Sequence, residues 1–155
     1  MSTIREQIVA AVATALTVNK PSGVPTPVRT RIDSPATEQL PALTVYQGIE
    51  KVDTAFPSRP GQLSRGPVVR RALDVIIEVL TKASADAPAD KAADPILAWA
   101  TAALCADGAL AGLAKQVDEV GTKFDYEQGE ASFCRASMTV RIGYQTRVDN
   151  AELVT

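Results

Sequence analysis

The 155-residue sequence contains no histidine. Histidine is the commonest general base near neutral pH and the commonest ligand for transition metals. Its absence removes Ser-His-Asp and Cys-His catalysis together with most zinc and iron sites. Cysteine is nearly as scarce: Cys105 and Cys134 are the only two, and their spacing matches no zinc or redox motif. Both are expected to be reduced, buried and packed as small hydrophobes. Aromatic residues make up only 5% of the chain, which leaves little material for a concave ligand pocket. A cationic surplus is missing too: 16 Lys and Arg face 18 Asp and Glu, for a net charge of −2. Binding of nucleic acid by bulk phosphate neutralisation is therefore not expected. No apolar run approaches the ~20 residues needed to cross a bilayer. Arg5 and Glu6 stand where a signal peptide would turn apolar. No membrane partner is expected, and the chain should stay in the cytoplasm unless it leaves within a larger particle. Phosphate-loop, dinucleotide and nucleophile-elbow motifs are also absent. The expectation is a protein without catalytic residues, cofactor or metal.

The 46% apolar content suits one ordinary core, so residues 1–155 are read as a single domain. Ile4, Ile8, Val12 and Leu16 recur every four positions and predict an amphipathic helix over 4–17, with Thr3 and Glu6 as a capping box. Pro25 to Ile32 reads as an extended, proline-punctuated edge. Leu40 to Tyr46 predicts a strand, with pairing resuming beyond a bulge or bend at Gly48. Residues 54–67 hold three prolines and two glycines and show no apolar period. Such a loop is expected to be mobile in the isolated subunit, because ordering it costs about 1–2 kcal/mol per residue. Val69, Leu73, Val75, Ile77 and Val79 alternate against Arg70, Ala72, Asp74, Ile76 and Glu78, with Arg71 the one exception to the apolar row.

A second helix is predicted to start at Asp94-Pro95, or earlier at Asp86 to Pro88, and to end at Asp107-Gly108. A short helical or turn piece follows over 109–114. The rest reads as a hairpin turning at Gln128-Gly129, its return arm alternating from Cys134 to Tyr144. Residues 148–155 are expected to form a polar C-terminal tail able to reach a neighbouring subunit. The resulting fold class is α+β: a mostly antiparallel sheet with two main helices on one face and a long mobile loop between strands.

Candidate sites are few. Asp86, Asp90 and Asp94 recur every four positions, but metal cages usually add backbone or amide oxygens in a tight loop, so a solvated helix face is the simpler reading. Asp118, Glu119, Asp125 and Glu127 sit on strand-forming sequence as exposed positions. From Thr54 to Leu73 there are four arginines, Arg59, Arg65, Arg70 and Arg71, and no acidic residue. With the apolar Phe56 and Leu63 they form the candidate partner-contact set, directed at an acidic protein surface or at DNA passing nearby. A solvated loop kept soluble by its charges is the alternative. Trp99 fits either an interface anchor or packing against the sheet.

Together, the N-terminal helix before a proline-rich turn, the Leu40-Pro41-Ala42-Leu43-Thr44-Val45-Tyr46 strand, the long Ala72–Val79 strand followed by an Asp-flanked helix, and the Leu110-Ala111-Gly112-Leu113-Ala114 segment leading into a hairpin that ends Ile142-Gly143-Tyr144-Gln145-Thr146 resemble the tail terminator (minor tail, head–tail joining) proteins of long-tailed bacteriophages. The resemblance spans nearly the whole chain as an order of elements, with no single diagnostic motif. It implies a structural virion protein in a homo-hexameric ring on the head-proximal end of the tail tube, assembled in the host cytoplasm. The implied partners are further copies of the chain, the major tail tube protein, the head–tail connector, and DNA in the lumen by proximity. Another neck component, a connector or tail completion protein, fits the same order of elements. A small α+β ligand-binding module is the alternative of a different class. Replacing Arg59 and Arg65 by Glu is expected to impair head–tail joining, counted by electron microscopy, while circular dichroism stays unchanged; joining at normal yield would leave the segment a solvated loop.

Overall fold

Two long strands, Val68–Lys82 and Ser132–Arg147, are built from the two clearest alternating stretches of the sequence, and the remaining elements assemble around them. In the computed structural model, residues 3–18, 20–29, 35–53, 68–129, 131–147 and 150–154 are described, with backbone alone for 147 and 150–154. The elements are α1 (Ile4–Ala15), β1 (Val28–Arg29), a 3-10 turn (Thr37–Gln39), β2 (Ala42–Val52), β3 (Val68–Lys82), α2 (Ala89–Ala106), α3 (Gly108–Leu113), β4 (Gln116–Gln128), β5 (Ser132–Arg147) and β6 (Asn150–Val154). The strand order is β1-β2-β3-β5-β4, with β6 also pairing β5. All pairings are antiparallel except β1 with β2. This is the expected α+β architecture.

Between β3 and β5 the ladder runs without a shift from Val68↔Arg147 to Lys82↔Phe133. Successive side chains alternate faces, so Val69, Leu73, Val75, Ile77 and Val79 share one face with Cys134, Ala136, Met138, Val140, Ile142 and Tyr144. All of these are buried, in one cluster with Ile4, Ile8, Val12, Ala93, Leu97, Ala100, Leu104 and Leu110 of the helices. The three helices thus cover one face of the sheet. Trp99 packs partly buried against the same cluster, in line with the packing alternative. The opposite face carries charge: Asp74 receives both Nε (2.8 Å) and Nη2 (3.0 Å) of Arg141, the residue directly across the ladder.

Helix α1 starts as its cap predicts, with the Glu6 N–H donating to Thr3 Oγ1 at 3.3 Å. The Glu6 carboxylate in turn accepts from both terminal nitrogens of Arg29 at 2.6 and 3.1 Å, tying α1 to β1. Helix α2 takes the earlier of the two predicted starts, leaving Pro95 inside it instead of at its first turn. An interior proline removes a backbone bond and costs about 3 kcal/mol. Burial of Ala89 and Ala93 ahead of it, and the buried Thr81 hydroxyl donating to the Ala89 carbonyl at 2.6 Å, hold the extra turns on the sheet. Residues 148–155 do not all form a free tail. Strand β4 pairs β5 only as far as Gln116↔Gly143, and Asn150–Val154 runs back along the β5 end beyond it, satisfying ladder groups that would otherwise stay open. Cys134 is buried as expected, whereas Cys105 is exposed, because it lies on the side of α2 away from the Ala100–Leu104 stripe.

The expected irregularity at Gly48 is a β-bulge: the β2–β3 register shifts between Gln47 and Glu50. A side chain at Gly48 would place its Cβ 2.9 Å from the Asp74 carbonyl oxygen, so the close approach of β3 requires glycine. Truncating Ile77 to Ala should lower unfolding free energy by about 2–5 kcal/mol. Gly48→Ala should lower it by about 1–3 kcal/mol. Urea titration checks both.

Candidate interaction surface

Sequence alternation alone would place Glu50 on the charged face with Thr44 and Tyr46. The bulge reverses the parity of β2, so Glu50 pairs with Leu73 and points to the helix side. There it accepts hydrogen bonds from the Tyr144 hydroxyl and from Arg71 Nη1 (3.1 Å), with Arg5 Nη1 at 3.6 Å. Arg71 also donates its Nε to Thr146 Oγ1 at 3.1 Å. The cluster closes the end of the core next to the start of α1. Tyr144 is almost wholly buried. Burial first, and then the Glu50 carboxylate, push its phenol well above its ordinary value near 10.

This arrangement changes the reading of the arginine set. Arg70 and Arg71 are adjacent on β3 and so lie on opposite faces. Arg70 is exposed, while Arg71 is partly buried in the Glu50 cluster and serves to hold the fold. The Arg71 guanidinium is thus already engaged by Glu50 and Thr146 within the subunit. Arg59, Arg65, Phe56 and Leu63, with the whole 54–67 loop, lie outside the described residues. Arg70 instead joins Lys51 and Lys115 along a groove of 630 Å³ at this end of the sheet, with Asp53 the acidic residue on its wall. Sequence reasoning missed Lys51 and Lys115. They are far apart in the chain and come together only through the β2–β3–β5–β4 order. The groove is open and cationic, suited to an acidic surface.

On the charged face, Glu78 accepts from the Tyr46 hydroxyl at 3.1 Å and lies 3.8 Å from Arg135 Nε. Among the described residues no group of three or more Cys, Asp or Glu is placed to hold a metal ion. Asp90, partly buried, accepts from the Tyr126 hydroxyl at 3.5 Å, while Asp86 precedes α2 and Asp94 is exposed on it. No helix among the described residues is long and apolar enough to cross a membrane.

Among the described residues the sheet has two open margins. Strand β4 is bonded on one side only, to β5, and is exposed over most of its length. Across the sheet, among the described residues, β1 covers β2 only at Thr44 and Val45, and the later half of β2 carries the exposed Ile49 and Val52. Among the described residues, the large apolar side chains that are exposed collect on these margins: Val120, Phe124 and Tyr126 on β4, and Val28, Ile49 and Val52 on β1 and β2, with Val18 elsewhere. Two open edges bearing apolar residues form a surface for pairing with another chain. Comparison with models of known protein families gave no match, and a search of curated proteins also gave none.

The Tyr144 environment predicts an alkaline weakness. A phenol whose folded value is raised contributes stability that is full below the unfolded value near 10 and is lost as pH rises above it, since the unfolded chain releases the proton first. Urea midpoints followed from about pH 9 to about pH 11 should fall in the native protein, and fall less steeply in Tyr144→Phe.

Proposed function

We propose that the chain is a structural subunit of a homo-hexameric ring that caps the head-proximal end of a bacteriophage tail tube, ends tube polymerisation and presents the surface for head joining. The order of elements that resembles tail terminators supplies this reading, and the pair of open, apolar sheet edges on opposite sides of one subunit is the observation that supports it best. Such edges are a liability in a lone subunit. A head-to-tail ring removes both at once, because each subunit offers one edge to each neighbour. The cationic groove at Lys51, Arg70 and Lys115 suits the acidic groups of a tube or connector subunit, or DNA in the lumen. The chemistry asked of the chain is association, with the head–tail connector and the tube protein as partners and the virion tail as its place.

Electron microscopy of particles assembled without the protein tests the reading. Overlong tubes are expected for a terminator. Tubes of normal length detached from heads would instead identify a connector or completion protein, and normal joined particles would overturn the reading altogether.

A further inference from the structure

We infer that β4 of one subunit pairs antiparallel with the later half of β2 of a second copy, so that neighbouring sheets join into one continuous sheet. Closure into a ring rests on the reading above; the edge pairing itself needs only two copies of this chain.

Strand direction comes first. Strand β2 is antiparallel to β3, β3 to β5 and β5 to β4, so β2 and β4 run in opposite directions on opposite sides of the sheet. A second copy in the same orientation therefore brings its β2 margin alongside β4 as an antiparallel neighbour. Its helices then fall on the same side of the joined sheet.

Side-chain facing is consistent with that placement. Val52 pairs with Arg71 and Phe124 with Ala136, so both project to the helix side of their own sheets, as does Tyr126 across from Cys134. Lys51 pairs with Ala72 and projects to the other side, as do Asp118, Asp125 and Glu127 through their partners Arg141, Arg135 and Phe133. The joined edge thus puts the exposed Val52 beside exposed aromatics on one face and Lys51 beside carboxylates on the other.

Charge selects the second copy as occupant and selects which edge meets which. Strand β4 carries Asp118, Glu119, Asp125 and Glu127 against Lys123 alone. Around the β2 margin, Arg5, Arg29, Lys51 and Arg70 outnumber Glu6, Glu50 and Asp53. The acidic margin of one copy and the basic margin of another attract. Pairing β4 with β4 about a two-fold axis would set four carboxylates against four and is disfavoured.

Cross-linking of two variants of the full chain tests this, each carrying Cys105→Ser to remove the exposed native thiol. Val52→Cys and Phe124→Cys proteins are treated separately and mixed with a short bis-maleimide, and the mass of the native assembly is read alongside. Both positions are exposed, so the fold should tolerate the changes. A linked dimer in the mixture, absent from either protein alone, is the expected result. Linked dimers in one variant alone would mean a like-edge contact and overturn the pairing. An assembled species with no link in the mixture would overturn the pairing while leaving the ring reading standing. A chain that stays monomeric at every concentration would overturn both.

Discussion

The unbroken ladder between β3 and β5 is the constraint on which the other features depend. Fifteen residues of β3 are opposed in sequence, from Val68↔Arg147 to Lys82↔Phe133. Because side chains alternate with a period of two, a slip of one residue would turn Leu73, Val75, Ile77 and Val79 from the helices to the opposite face. The register that buries this row also sets Asp74 directly across from Arg141. Apolar burial on one side and charge pairing on the other therefore specify the same alignment. The helices, the hairpin and β2 are then placed by what that pair of strands leaves uncovered.

Two irregularities convert this regular centre into a surface with particular chemistry. At Gly48 the β2 register shifts and Glu50 comes to the helix side, where the Tyr144 hydroxyl and Arg71 engage it. A half-buried carboxylate there is sustained because its charge is matched by Arg71 and its remaining acceptor capacity by a phenol. At Val120 a second shift in the β4–β5 ladder leaves that side chain exposed at the outer margin. Bulges of this kind bend a strand and add local twist. They separate the part of the sheet devoted to the core from the part offered to solvent.

What the sheet offers is unusual for a chain that works alone. Among the described residues, long strands with one covered face and two uncovered margins leave backbone donors and acceptors along β4 and β2 open, next to Phe124, Tyr126, Ile49 and Val52. Water can satisfy the backbone groups, but it gains nothing from the apolar ones. Association then adds burial and ladder bonds without unfolding anything first. That physical economy, with the few aromatic residues and the open groove, is what supports the proposed assembly role.

The sequence by itself determined the regular part of the molecule. Helix α1 with its Thr3 cap, the alternation of β3 and β5, the hairpin turn near Gln128-Gly129 and the α+β class could all be read, because each depends on residues near one another in the chain. Tertiary structure decided the rest. Whether α2 could begin ahead of Pro95 depended on Ala89 and Ala93 meeting the sheet, and the side taken by Glu50 depended on how closely Gly48 approaches Asp74. The separation of Arg70 from Arg71, the meeting of Lys51 with Lys115 and the return of β6 onto β5 likewise follow from pairing between distant strands. Local periodicity states which residues share a face; only the packed chain fixes where a bulge reverses that face and which strand lies beside it.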